Sequence, residues 1–109
     1  MQLYREYCKE LYDREVLQNE CGFLTYKKYD DGSLYVHSVF VTKEHRRKGF
    51  ALSLEKELIE KENPICIYCY VDLTTQNHND SLKGLLNEGY IVDQSTPETI
   101  VLKKVTRSL

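Results

Sequence analysis

Three stretches of the chain place apolar side chains at the three- and four-residue spacing of an amphipathic helix. This spacing predicts a first helix over residues 2–13 that docks on a sheet, a second over 50–62, and a third that ends at Gly89. Asn63-Pro64 ends the second helix, and Asn79 or Asp80 caps the third. The positions expected to face inward are Leu3, Tyr4, Tyr7, Cys8, Leu11 and Tyr12 in the first helix, Ala51, Leu54, Leu58 and Ile59 in the second, and Leu82, Leu85 and Leu86 in the third.

The other apolar segments predict six short strands, over residues 15–18, 21–29, 34–41, 65–71, 90–92 and 99–105. An Asp-Gly pair at Gly32 is typical of a hairpin turn between the second and third strands. Segment 34–41 is apolar on both faces, which favours a central strand covered on each side. The order α-β-β-β-α-β-α-β-β predicts an α/β fold with a mixed α+β sheet, and 109 residues suffice for a single domain over 1–109.

Composition and charge exclude several classes of protein. The net charge of −2 and a pI near 5.9 argue against a surface built for nucleic acid or anionic lipid. No apolar run approaches the ~20 residues that span a bilayer, and charged residues from Arg5 to Glu10 do not suit a signal peptide. We therefore expect a cytoplasmic protein with no membrane partner.

The four cysteines, Cys8, Cys21, Cys66 and Cys69, lack the paired spacing of a zinc site. Cys66 and Cys69 lie in a predicted strand, whose period of two directs them to opposite faces. Buried free thiols in a reducing compartment are the better interpretation, and no metal is expected.

A basic turn between a strand and a helix is the strongest candidate site. His45-Arg46-Arg47-Lys48 leads into Gly49, and the amides at the start of the following helix have no intrahelical partner. The helix dipole favours an anion at this position, and Gly49 and Ala51 leave the backbone accessible. Taken without its context, the basic run is also compatible with a solvated turn or a nucleic-acid contact.

The order Arg46-x-x-Gly49-x-Ala51 resembles the (Gln/Arg)-x-x-Gly-x-(Gly/Ala) signature of the GCN5-related N-acetyltransferases, with Val41 as the strand valine five residues earlier. The resemblance covers nearly the whole chain and implies acetyl-coenzyme A (acetyl-CoA) as the cosubstrate. Its pyrophosphate is expected on the amides of Arg47, Lys48, Gly49, Phe50 and Ala51, with charge from Arg46 and Lys48. Its pantetheine arm and thioester are expected along Val39, Phe40 and Val41.

The resemblance also indicates a catalytic base. His37 stands four residues before Val41, where relatives carry Glu or His, and an imidazole can accept a proton near neutral pH. The alternative is a core histidine whose ring is hydrogen-bonded to the hydroxyl of Tyr26 or Ser38.

A second family landmark is Asn-x-x-(Ala/Ser)-x-x-x-Tyr-x-x-x-Gly-Phe. His78 takes the Asn position beside Asn77, and Ser81 takes the small position, so these residues are expected near the pantetheine. Leu85 stands where a tyrosine usually protonates the leaving thiolate. Tyr70, or its neighbour Tyr68, is the substitute that we expect on the strand facing the thioester.

The resemblance implies acetyl transfer to a primary amine. The family's first strand and first helix have no counterpart before Met1, so the acceptor groove is expected to be open or covered by a second subunit of a homodimer. An open groove favours a protein lysine or N-terminus over a small amine. The alternatives are a CoA-binding module with little or no activity, which the leucine at position 85 favours, and a small nucleic-acid-binding domain, which the acidic balance makes unlikely.

Overall fold

A computed structural model describes residues 2–46 and 49–107. Its helices are α1 (Gln2–Tyr12), α2 (Phe50–Glu62) and α3 (His78–Asn87), and its strands are β1 (Glu15–Asn19), β2 (Gly22–Lys28), β3 (Ser33–Val41), β4 (Cys66–Asp72), β5 (Ile91–Ser95) and β6 (Thr99–Val105). The predicted order of elements is confirmed, with a short 3₁₀ helix at Lys43–His45 that the sequence pattern did not indicate.

The six strands form one mixed sheet in the order β1-β2-β3-β4-β6-β5. β3 and β4 are parallel, and the other neighbouring pairs are antiparallel. The predicted hairpin joins β2 to β3, where Gly32 has a φ of 92°, a left-handed conformation that glycine adopts without strain.

The core lies on the sheet face covered by α2 and α3. Leu54 and Leu58 of α2 are buried there against the sheet, and Leu82 and Leu85 of α3 pack on the same cluster. The strand residues in this cluster are Leu24, Tyr26, Leu34, Ile67, Cys69, Val71 and Leu102.

The expectation that Ala51 faces inward is wrong. Ala51 is exposed, and Glu55, one turn later, is buried instead. The first turn of α2 borders the cavities beside β3, so an apolar side chain there faces open space.

The prediction that β3 is covered on both faces is also wrong for its second half. Leu34 is buried, whereas Val39 and Phe40 are 49% and 44% exposed. The exposure begins where β4 no longer pairs with β3, so an apolar strand end faces a cleft.

The first helix covers less apolar surface than its pattern suggests. α1 lies on the opposite face of the sheet, where the Tyr4 ring packs edge-on against Phe23 at 5.4 Å and Cys8 is buried. Leu3 and Leu11 remain 81% and 62% exposed. The apolar face of α1 is therefore wider than the surface of β1 and β2 on which it packs.

All four cysteines are free and buried, as predicted. Within residues 2–46 and 49–107, no cluster of His, Cys, Asp and Glu side chains has the arrangement of a metal site. No helix in that part of the chain is both long enough and apolar enough to cross a bilayer.

A buried polar cluster joins α2, α3 and β6. The Lys104 ammonium donates to the buried Glu55 carboxylate at 2.9 Å and lies 5.5 Å from the centre of the Tyr90 ring. Burial raises the pKa of Glu88, the negative charge of Glu55 and a hydrogen bond to it raise it further, and Lys104 partly opposes the effect. The cluster thus contains two carboxylates and one cation.

Glycine substitutions at two positions should have opposite effects on stability. A Cβ at Gly22 would overlap the carbonyl oxygen of Phe40 and lie 2.9 Å from the Cα of Val41, so Gly22→Ala should lower the free energy of unfolding by about 1–3 kcal/mol. Gly84 lies inside α3 with open space around it, and Gly84→Ala should raise that free energy by about 0.5–1 kcal/mol. Urea unfolding measures the free energy of unfolding of both variants. Equal changes in the two variants would contradict this prediction.

The stability contributed by Glu88 should fall as pH rises. Its folded-state pKa lies above the ordinary 4.5, so the folded protein binds the proton more tightly than the unfolded chain does. The stabilisation is therefore complete below about pH 4.5 and is lost as pH rises through the folded-state pKa. We expect Glu88→Gln to melt a few degrees above wild type at pH 7–8 and to lose that advantage near pH 4.

Lys104→Met provides the contrasting variant. It removes the cation and leaves the two carboxylates facing each other, so it should be destabilised most at high pH. Thermal melting from pH 4 to 8 compares the two, and parallel curves for wild type and Glu88→Gln would show that the carboxyl does not titrate as described.

Candidate functional site

A cleft opens where β3 and β4 separate. The two strands pair only at Ser33–Tyr35 with Cys66–Tyr68, although β3 continues for six more residues to Val41. On the other side of β3, pairing with β2 passes from Val36 to Ser38 and skips His37, which is a β-bulge. A bulge bends a strand and increases its local twist, and here it lies where the two parallel strands part.

The first cavity in this cleft has a volume of about 360 Å³. Its walls come from β3, β4, the first turn of α2 and one face of α3. The lining residues are Val36, His37, Ser38, Val39, Ala51, Cys69, Tyr70, Val71, Asp80, Ser81, Gly84, Leu85 and Glu88. Of the predicted site residues, His37, Val39, Ala51, Tyr70 and Ser81 are therefore brought together.

A second cavity of about 500 Å³ continues from the first toward the basic turn. The two share Val39, Ala51 and Glu88, and the second extends along Phe40 and Val41 and ends at Arg46 and Gly49. One path therefore leads from His37 along the exposed half of β3 to the start of α2.

Gly49 lies at the end of this path, where α2 begins. It is the N-cap of α2 with a φ of 81°, and apart from its chain neighbours no described atom lies within 4 Å of the position a Cβ would take. Ser53 N donates to the Gly49 carbonyl at 3.1 Å. Backbone amides in the first turn of a helix ordinarily have no intrahelical partner and suit an anion.

Arg46 lies over the end of β3. Its Nε donates to the Val41 carbonyl at 2.9 Å, and its guanidinium carbon is 5.6 Å from the centre of the Phe40 ring. Arg47 and Lys48, both predicted at this site, and the side chain of Phe50 lie outside the described residues.

The exposed half of β3 suits an extended ligand that carries amide groups. From Val36 onward its edge toward β4 takes part in no ladder within the described residues, because the registered pairs end at Tyr35 and Tyr68. Unpaired strand edges bind extended chains through backbone hydrogen bonds.

His37 is half-buried at the inner end of the path. Its ring stacks on Tyr35 at 4.8 Å, and its pKa lies below the ordinary 6.5, mainly because of burial and further because of the charges of Arg14 and Lys27. The hydroxyl partners considered for a structural histidine are occupied elsewhere, since Tyr26 donates to Glu62 at 2.6 Å and Ser38 bonds to Thr25. The imidazole is therefore neutral at physiological pH and faces a cavity.

Two predicted residues lie apart from the cavities. The prediction that Asn79 or Asp80 caps α3 is wrong, because the helix begins at His78 and Asn77 is at the N-cap position without a side-chain capping hydrogen bond. Asn77 is exposed, and neither it nor His78 lines the path. The Nδ1 of His78 donates to the Thr75 carbonyl at 2.7 Å, so its ring closes the turn before the helix.

The sequence reasoning missed Glu88, Asp80 and Gly84 as lining residues. Glu88 borders both cavities, and its spacing of three and seven residues from Leu85 and Ser81 places all three on one face of α3. The sequence signal that could have identified Glu88 is a carboxylate that lies one or two helical turns after apolar positions of α3.

Comparison with known proteins gives a consistent result. The family model described as "Acetyltransferase (GNAT) family" matches residues 5–90. Ard1 from Thermoplasma volcanium superposes with a TM-score of 0.71 at 15% identity, covering 99% of this chain and 81% of that one. PaiA N-acetyltransferase from Thermoplasma acidophilum, in complex with coenzyme A, gives 0.70 at 13% identity over 96% and 70% of the two chains.

Naa50 from Arabidopsis thaliana, in complex with the bisubstrate analogue CoA-Ac-MVNAL, gives a TM-score of 0.59 at 20% identity over 79% and 66% of the two chains. No curated protein matches in sequence. The solved structures share the fold at low identity, and the family model covers most of the chain. This protein belongs to the acetyltransferase (GNAT) family.

Proposed function

We propose that this protein is an acetyl-CoA-dependent N-acetyltransferase that acts on a primary amine. The observation that carries the proposal is the path between the parted strands, which joins a half-buried neutral histidine to a helix N-terminus. Few ligands other than acetyl-CoA would use an anion site, a strand edge that binds amides and a proton acceptor arranged in that order.

The cosubstrate supplies an activated acetyl group as a thioester. The amides at the start of α2, with Arg46 beside them, bind its pyrophosphate, and the edge of β3 from Val39 to Val41 binds its pantetheine arm. Ser81 contributes from the α3 side of the cleft. Arg47, Lys48, Phe50, Asn77 and His78 remain predicted contacts.

His37 acts as the base that takes the proton from the acceptor amine. The amine is mostly protonated at neutral pH and must lose a proton before it attacks a carbonyl carbon. Burial beside Arg14 and Lys27 keeps His37 ready to accept that proton. Tyr70 lines the same cavity, with its ring 6.1 Å from that of Tyr35. In this proposal its hydroxyl protonates the leaving thiolate.

We propose a protein lysine or N-terminus as the acceptor. The sheet face beside His37 carries Tyr35, Tyr68 and Tyr70, with Tyr70 42% exposed, and this surface gives an extended substrate room to lie. A protein of this fold, Arabidopsis Naa50, forms a complex with the bisubstrate analogue CoA-Ac-MVNAL, and this supports the choice. Four free thiols favour a reducing compartment such as the cytoplasm.

A second candidate is a CoA-binding module with little turnover. Leu85 favours it, because this side chain lines the cavity without a hydroxyl to protonate a thiolate. Release of free thiol from acetyl-CoA in the presence of amines separates the two. Acetyl-CoA binding without thiol release on any amine or peptide would support the module.

Gly49→Glu should weaken acetyl-CoA binding by at least about tenfold. The substitution adds a carboxylate where the pyrophosphate is proposed to bind and strains a backbone with a φ of 81°. Isothermal titration calorimetry with acetyl-CoA measures the effect.

Two controls accompany this variant. Gln18→Glu makes the same charge change on the edge strand β1 and should bind as wild type does. Gly49→Asn tolerates a positive φ without added charge and should retain most of the affinity. Equal binding by wild type and Gly49→Glu would remove the turn from the proposed site.

His37→Gln or His37→Ala should lower kcat by about 10²–10⁴-fold at neutral pH. The loss should shrink at high pH, where more of the amine is already unprotonated. In wild type, kcat/KM should fall only below pH 6.5, because the pKa of His37 is lowered. A pH–rate profile of each protein tests the assignment, and an unchanged acid limb in His37→Gln would exclude it.

Arg14→Gln is the companion variant. It removes a positive charge that lowers the pKa of His37, so the acid limb should move to higher pH while acetyl-CoA affinity stays the same. A limb that moves to lower pH would contradict the stated cause.

A further inference from the structure

A smaller cavity of about 70 Å³ lies beneath the cleft. It shares Val36, Val39, Ala51, Cys69 and Leu85 with the first cavity, so the two adjoin across these side chains. The rest of its wall is formed by Leu24, Glu55, Leu58 and Tyr90. It therefore extends the cleft inward, toward the core and away from the anion site.

Leu85 limits the size of this space. Its side chain borders both cavities. A tyrosine ring is larger than a leucine side chain and would take up part of the volume beneath the cleft. The leucine leaves that volume open.

The size of the space limits what can enter it. An apolar cavity of ~150 Å³ in a protein core accepts a benzene ring of six carbons. A volume of about 70 Å³ therefore holds two or three carbons. One water would also fit, but the wall is largely apolar and offers it few partners.

The polar side chains in the wall are not free to react with or solvate a ligand. Burial raises the pKa of the Cys69 thiol to about 12, and the charges of Glu55 and Glu88 add to the effect, so the thiol stays neutral and forms a small apolar wall. The Glu55 carboxylate is bound to Lys104 at 2.9 Å. An alkyl group is the ligand chemistry that this space suits.

We propose that the small cavity holds the alkyl end of an acyl group longer than acetyl, so that propionyl- and butyryl-CoA are preferred acyl donors. The inference rests on the proposed function, because it assumes that the thioester lies at the inner end of the cleft. The reaction is the same transfer: a C–N bond forms, the C–S bond breaks, the amine loses one proton and the thiolate gains one.

Binding of an acyl-CoA series tests the proposal without an acceptor. Each methylene that enters the cavity should tighten binding about fourfold, so butyryl-CoA should bind about 15-fold more tightly than acetyl-CoA. Hexanoyl-CoA exceeds the cavity and should gain nothing further. Calorimetry measures the four dissociation constants, and equal or weaker binding of propionyl- and butyryl-CoA overturns the proposal.

Leu85→Tyr should abolish the preference for longer chains while acetyl-CoA still binds. Leu86→Tyr is the matched control, because it makes the same change one residue along α3 at a side chain that is exposed and borders neither cavity. It should keep the wild-type preference. Leu85→Ala enlarges the cavity and should move the optimum toward hexanoyl-CoA, which covers the case in which the tyrosine variant does not fold.

The outcomes separate this proposal from the proposed function. Tight acetyl-CoA binding with thiol release on an amine, but no gain from longer chains, overturns the acyl-chain proposal alone. No binding of any acyl-CoA overturns both. A chain-length preference that persists unchanged in Leu85→Tyr also overturns the proposal, because the preference would then arise elsewhere.

Discussion

The cleft in this fold exists because β3 and β4 stop pairing partway along β3. Parallel strands share evenly spaced hydrogen bonds, and here that ladder extends over only three residue pairs before the strands part. Beyond that point β3 pairs in the described sheet with β2, through a register interrupted at His37. Backbone groups that would have faced a neighbouring strand are left facing the cleft, and buried groups of this kind need a partner. One wall of the cleft is therefore an unpaired strand edge.

Residues far apart in the chain meet beside the cleft. Lys104 on β6 holds Glu55 on α2, and Glu88 at the end of α3 lies against that pair. One cation beside two carboxylates therefore links the second and third helices to the same strand. The first turn of α2 and the face of α3 around Ser81 border the cavity, so this polar cluster joins the helices next to the open part of the fold.

Local signals in the sequence predict where the helices and strands lie. The wrong predictions concern burial, which depends on long-range packing. α2 and β6 were predicted to the residue, because Gly49, Asn63-Pro64 and Pro97 mark their ends. The spacing of apolar residues indicates which face of an element is apolar, but not whether a neighbour covers it. For that reason the predictions that Ala51, Leu86, the second half of β3 and the outer side of α1 lie in the interior are wrong, and these positions are exposed. Glu88 was overlooked for the converse reason, since its environment is created by Glu55 and Lys104, which lie 33 and 16 positions away in the chain.

The limited burial of α1 has a consequence for how the protein unfolds locally. The helix is attached through Tyr4 and Cys8, and most of its apolar side chains contact solvent. Elements with few buried contacts unfold locally at a lower free energy than the core, and their amide hydrogens exchange first. Detachment of α1 uncovers Phe23 and, through its ring contact, Phe40 on β3, which borders the cleft. The shallowly packed first helix is thus linked by two aromatic contacts to the strand whose unpaired edge faces the cleft.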